Sequence, residues 1–274
     1  RSEDVLQAPG VENPIEAPLF FALALCIYPM FARDFSMDID SAKVFQSPNK
    51  EFLGGTDSLG RDLLQRSLVG GGVSLLICFA SLILTYALGV FIGSVLSFWN
   101  RSNHLVVFMI DVFDSIPNFL LVALFSILIN RGVGGQPSVI STFTTLVISI
   151  ALAAWAPIAR NVRLEILQLR GREYLSAAVV AGGSPLYIIR TYYIRAIWPW
   201  LRVSIVHNIP QFLLIESVLS FTGFGMGSQN ATLGYLIYEG WKNALLYPHL
   251  FMIPAAILCV LIFMLTISIQ DNRS

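Results

Sequence analysis

Three long stretches of this sequence contain no Asp, Glu, Lys or Arg: Ser67 to Asn100, Gly132 to Ala159, and Asn243 to Gln270. Each exceeds the about 20 apolar residues that a helix needs to cross a bilayer. Backbone polar groups in hydrocarbon must be satisfied within the segment, which makes such stretches helical. The whole chain agrees, since only 12% of its 274 residues are charged, about half the share usual in a soluble domain. An all-α polytopic membrane protein follows. The formal net charge is zero, so bulk electrostatics give no case for a nucleic-acid partner.

Hydropathy and length predict six crossings, at about 18–35, 68–99, 105–130, 138–160, 202–222 and 249–270. The first is short and has Pro29 near its end, and Pro117, Pro157, Pro210 and Pro254 recur in the later ones. Packed membrane helices tolerate such prolines. The chain divides accordingly into a polar N-terminal segment (1–17), a first crossing (18–35), an extracytoplasmic connection (36–67) and a core (68–274) with a polar loop at about 160–201. The opening residues, RSEDVLQAPGVENP, have no apolar h-region and do not read as an intact signal peptide.

Orientation comes from the loops. The 160–202 segment carries Arg160, Arg163, Arg170, Arg172, Arg190, Arg195 and Arg202 against Glu165 and Glu173. The 33–66 connection is balanced in sign, and 223–248 holds only Glu239 and Lys242. Lys and Arg excess marks the cytoplasmic side, so the 160–202 loop is predicted to be cytoplasmic, with both termini on its side. In the second crossing Ser81, Thr85, Gly89, Gly93 and Ser97 recur every fourth residue. This face of small residues lets helix backbones approach closely, either within the chain or against a second membrane subunit.

The cytoplasmic loop contains GREYLSAAVVAGGSPLYIIR, whose centre is almost bare of large side chains. Glu173 to Ala181 reads as a short helix with its carboxylate at the favourable dipole end, stopped by Gly182 and Gly183. Ser184 and Pro185 restart a second helix as N-cap and first-turn residue, running to about Pro199. The result is a helix–break–helix hairpin with a small-residue tip. The residues alone allow two roles: resting on lipid headgroups through the arginines, Tyr187, Tyr192, Tyr193 and Trp198, or fitting into a groove on another protein.

Specific motifs favour the second role. EYLSAAVVAG resembles the EAA loop of binding-protein-dependent ABC importer permeases. FLGGTDSLGRDLLQRSLVGG resembles the FLGTDxLGRD segment of the dipeptide/oligopeptide/nickel family, with one extra Gly at Gly54 or Gly55. MIDVFDSIPNFLL is similar to that family's MDxxxxxP element, and ESVLSFTGFG to its ExxLSFLGLG element. ALAAWAPIARNVRLEILQLRGREYLSAA is similar to its run into the loop. The sequence departs from the family at Tyr192 and Ile194-Arg195-Ala196, where a His and Leu-Pro-Asn are usual, and in its tail, ISIQDNRS.

The resemblance implies a type I ABC importer permease of the bacterial inner membrane, forming half of a solute pathway. Its expected partners are a second homologous permease, two cytoplasmic ATP-binding subunits and an extracytoplasmic solute-binding protein. Glu173, Ala177, Ala178 and Gly182 would form the coupling helix seated in an ATPase. The solute would be a di- or oligopeptide, with nickel or a metal chelate as the alternative. The chain itself lacks GxxxxGK[ST], so no ATP hydrolysis is expected of it, and no cofactor is expected.

Three acids fall within the predicted crossings: Asp111, Asp114 and Glu216. Intramembrane carboxylates normally meet a partner or a wet cavity, so these either make structural hydrogen bonds or line the path. A proton-coupled secondary transporter could use Asp111 and Glu216 as a relay, whereas an intramembrane aspartyl protease would show a GxGD-type motif that the sequence lacks. His104, His207 and His249 have no metal-ligand spacing, and Cys26, Cys78 and Cys259 lie singly in apolar runs. These read as packed or solvated side chains and inert thiols, with no metal site.

Overall fold

The computed structural model describes residues 39–98, 104–133, 138–169, 172, 178, 180–184, 187, 189–227 and 231–270. The predicted first crossing at 18–35 lies outside the described residues, as do Glu173 and Ala177. From Leu63 onward the described chain is mainly helical, while residues 39–62 form a short 3-10 turn, irregular turns and one isolated bridge between Thr56 and Asp62. In chain order the helices are α1 (Leu63–Phe98), α2 (His104–Ser115), α3 (Asn118–Val133), α4 (Val139–Leu169), α5 (Ile194–Leu219), α6 (Leu233–Lys242) and α7 (His249–Gln270). Among the described residues, four helical stretches are long and apolar enough to cross a membrane: Leu63–Ser97, Val139–Leu169, Thr191–Phe224 and His249–Ile267.

The predicted crossing at 105–130 is two helices rather than one. Pro117 has no N–H to continue the ladder and disfavours a helical residue before it. Helix α2 accordingly stops at Ser115 and α3 begins at Asn118, with the Leu120 N–H donating to the Pro117 carbonyl at 3.0 Å. A second difference concerns the hairpin's return helix, predicted to end near Pro199 before a separate crossing at 202–222. Instead a π-helical turn (Ile189–Tyr193) leads directly into α5, and a second π turn (Ser220–Phe224) follows it, kinked at Gly223, whose φ is +93°. Pro199 and Pro210 both lie inside this one continuous rod. A proline removes one backbone hydrogen bond, a cost that flanking turns and packed neighbours absorb in membrane helices. Helix α4 likewise continues past the predicted end at 160 to Leu169.

The core forms where α1 crosses α4 and α5, around Leu75, Leu82, Ile150, Ile158, Ile197 and Leu213. The small-residue stripe of α1 lies in this contact. A methyl group on Gly89 would stand 2.6 Å from Ile158 Cγ2, and one on Gly93 would stand 2.5 Å from the Ala159 carbonyl oxygen. Ser81, Thr85 and Ser97 are fully buried. The helices approach so closely that no side chain fits between them, maximising dispersion contact where no hydrophobic effect acts. Away from this seam, Ile83, Phe91, Met252 and Phe263 are exposed, as expected of side chains that face lipid tails.

At the predicted extracytoplasmic end the chain is clasped. Asp62 caps α1, accepting from the Leu64 N–H at 2.9 Å and the Gln65 N–H at 3.3 Å, so its carboxylate meets the positive end of the helix dipole. Just before it, the buried Asp57 carboxylate takes Arg61 Nε at 2.8 Å and a further bond from Arg66. Arg66 reaches on to Glu239 of α6 at 3.3 Å. The GTDSLGRD segment thus works as a polar rivet between the start of α1 and α6. It lies beside a cavity of about 160 Å³ lined in part by Phe45, Asp57, Arg66 and Glu239.

Candidate functional site

The hairpin tip is closed by backbone geometry at both sides of its break. The Gly183 N–H donates to the Ala178 carbonyl at 3.1 Å, while Gly182 takes φ +80°. This is the six-to-one closure with a left-handed glycine that ends many helices. The next helix opens with Ser184 Oγ accepting from the Tyr187 N–H at 3.3 Å, the N-cap bond expected of that serine. Nothing approaches within 4 Å of where a Gly182 side chain would begin. Val180 is 88% exposed, whereas Ala178 is 8% exposed. Among the described residues, Val180, Ala181 and Gly182 form the outward face and Ala178 faces inward.

The intramembrane acids separate into two unlike settings. Arg160 of α4 holds both acids of α2, reaching Asp111 Oδ1 at 3.3 Å and Asp114 Oδ2 at 2.9 Å. All three side chains retain substantial exposure. Glu216, in contrast, is fully buried near the far end of α5, where the Ser220 hydroxyl donates to its Oε1 at 2.6 Å. Nearby the Leu233 N–H donates to Ser74 Oγ at 3.2 Å, tying the α6 start to α1. Among the described residues, Asp111 pairs with Arg160 and Glu216 with Ser220.

A polar surface less conspicuous than the acids runs along α5. Ser204, His207, Asn208 and Gln211 occupy positions i, i+3, i+4 and i+7 of α5 and so share one face. With Asn118 of α3 and Asn161 of α4 they line a cavity of about 380 Å³, floored by Pro157, Trp200 and Phe212. Tyr86 of α1 fixes part of this wall: its hydroxyl lies 2.6 Å from Ser204 Oγ and accepts from Asn208 Nδ2 at 2.7 Å. A polar stripe halfway along a membrane-spanning helix would be costly against lipid, and such groups face the bundle interior or water. The signal was available in RVSIVHNIPQF as a helical period of polar residues. A second groove, between α1 and α5, is lined by Val90, Phe91, Val95, Trp198 and Leu201 and is almost wholly apolar. Its character is that of a lipid-facing surface.

Comparison with known proteins matches this arrangement to a single family. Residues 59–273 match the family described as binding-protein-dependent transport system inner membrane component. The oligopeptide transport system permease protein OppC of Bacillus subtilis (strain 168) is 26% identical over 236 residues, covering 86% of this chain and 74% of its own. The dipeptide transport system permease protein DppC of Lactococcus lactis subsp. cremoris (strain MG1363) is 30% identical over 217 residues, covering 78% of this chain and 60% of its own. OppC of Mycobacterium tuberculosis (strain ATCC 25618 / H37Rv) is 27% identical over 245 residues, with 89% and 81% covered. The match spans the α1 cap, the polar wall and the hairpin, and the chain belongs to the family of binding-protein-dependent transport system inner membrane components, as an ABC permease rather than an enzyme.

Proposed function

We propose that this permease forms one half of the pathway of an importer for di- or oligopeptides, and that its hairpin docks in a cytoplasmic ATP-binding subunit. The solute class is supported by the relatives, which are oligopeptide and dipeptide transport permeases. The remaining partners in this reading are a second permease half facing the polar wall and an extracytoplasmic binding protein that delivers the solute. The topology assigned is six crossings with both termini cytoplasmic, α2 and α3 together making the third.

One observation carries the mechanism: the helix that begins at Ile189, just behind the hairpin, runs on to Thr222, where Gly223 at φ +93° kinks the chain. It carries the Ser204–Gln211 stripe in its middle. A displacement imposed at Gly182 by closure of the ATPases therefore reaches the pathway wall through a single rigid element. Rigid-body motion of packed helices between two discrete arrangements is how such switching generally occurs. The small residues at the tip suit it to a narrow cleft, and Glu173 would pair with a basic group there.

The test is reconstitution of the permease pair with its ATPases and binding protein in liposomes. Gly182→Trp is expected to abolish peptide uptake and the stimulation of ATP hydrolysis by the loaded binding protein, with the complex still present in the bilayer. Unchanged uptake by that variant would refute the docking assignment.

A further inference from the structure

We propose that the polar wall recognises the main chain of a translocating peptide chiefly through its carboxamide side chains and is indifferent to the charge of the peptide's own side chains; this rests on the pathway reading above. The wall's polar groups are four carboxamides, one imidazole and one hydroxyl: Asn118, Asn161, Asn208, Gln211, His207 and Ser204. Among the described residues that line it, none is Asp, Glu, Lys or Arg. Arg160, next to Asn161 in the chain, is engaged by Asp111 and Asp114. A carboxamide offers the same donor and acceptor as a peptide bond, so this lining complements backbone N–H and C=O groups wherever they fall along the solute.

Two further observations define the wall's division of labour. Asn208 and Ser204 are held by the Tyr86 hydroxyl, giving a fixed point in the middle of α5. Asn118, Asn161, His207 and Gln211 make no side-chain hydrogen bond among the described residues, and all line the same cavity. Their hydrogen-bonding capacity is therefore open to what passes. A fixed charge in a low-dielectric passage would bind the opposite charge strongly and repel its own; a neutral amide surface does neither. Weak, repeated, sequence-tolerant contacts also let the solute leave, which conduction demands as much as entry.

The experiment uses the reconstituted importer and three tripeptides of equal length, with a neutral, an acidic or a basic central residue. Asn161→Leu and Gln211→Leu are expected to weaken uptake of all three by the same factor, about three- to tenfold for each lost hydrogen bond. Gln211→Glu is expected to separate them, favouring the basic peptide over the acidic one by about tenfold. A peptide with N-methylated amides should be carried poorly by the wild type and lose its sensitivity to both Leu variants. Independently of uptake, a cysteine at Gln211, in a chain whose Cys26, Cys78 and Cys259 are replaced by Ala, should react with a water-borne thiol reagent. Loaded binding protein plus ATP should slow that reaction, and a cysteine at the lipid-facing Ile83 should not react. Losses confined to one peptide charge, no separation by Gln211→Glu, or an unreactive thiol at 211 would each overturn the proposal. Either of the first two with normal wild-type uptake leaves the pathway reading standing, an unreactive thiol at 211 takes the wall out of the pathway, and a Gly182→Trp variant that still transports refutes the coupling and not the wall.

Discussion

The two ends of this molecule are built on opposite plans. At the end predicted to be extracytoplasmic, the start of α1 is bolted to α6 through Asp57, Arg61, Arg66 and Glu239, with the first three buried. At the end predicted to be cytoplasmic, the described part of the hairpin tip is closed by its own backbone, and a Cβ added at Gly182 would meet nothing within 4 Å. One end spends charge on internal contacts that desolvate it. The other leaves its most distinctive surface free. A part meant to stay fixed against its own chain and a part meant to be seated in another chain would differ in this way. In the proposed orientation the rigid frame lies outside and the receiving surface inside.

The largest expected effect comes from unfastening the fixed end. Asp57→Asn leaves two buried guanidiniums facing a neutral amide, and removing one member of a buried ion group costs about 3–5 kcal/mol. Loss of folded protein from the membrane, or a lowered unfolding midpoint in detergent, is the measurement. Next is the seam of α1 and α4. Gly93→Ala places a methyl 2.5 Å from the Ala159 carbonyl oxygen, and overpacking of this kind costs about 1–3 kcal/mol. The same measurement should show an intermediate loss.

Gly182→Trp sharpens the comparison from the other side. Its φ of +80° makes any side chain strained, by about 1–2 kcal/mol, yet the open space around it means no clash. Stability should fall less than in Asp57→Asn while uptake falls far more, which is the signature of a docking residue rather than a structural one. The smallest effect is expected at Lys43, whose ammonium is held above the ordinary lysine value by the Glu51 carboxylate 2.5 Å away. A raised lysine pKa stabilises the fold at pH values below the unfolded value of 10.5, and the contribution disappears as pH rises through the folded one. Because the pair is exposed, Glu51→Gln should leave the unfolding midpoint at pH 7 unchanged within error.

The helical, membrane-spanning character was plain from the uncharged runs, because bilayer thickness sets a length that few other structures need. The hairpin was legible too, since Gly182 and Ser184 act through local backbone chemistry that sequence states directly. Interruptions were harder to read. Pro117 splits a crossing while Pro199 and Pro210 do not, and the difference lies in what packs around each proline, which the residue type cannot reveal. The acids misdirected attention for a related reason. Asp111 and Asp114 are answered by Arg160, and Glu216 by Ser220, whereas the neutral Asn and Gln residues that line the cavity are less conspicuous in a hydropathy scan. Their shared face appears only when the α5 stripe is combined with Asn118 and Asn161 from two other helices.

The helical run from Ile189 to Thr222 has a mechanical corollary. At about 1.5 Å per residue it is a lever whose fulcrum lies near Tyr86, the residue that grips Ser204 and Asn208 close to its midpoint. Tilting such a beam by about ten degrees swings its two tips by about 4 Å in opposite directions. A push at the inner tip thereby becomes an opposed motion at the outer one, so a single stroke can close one mouth of the passage as it opens the other.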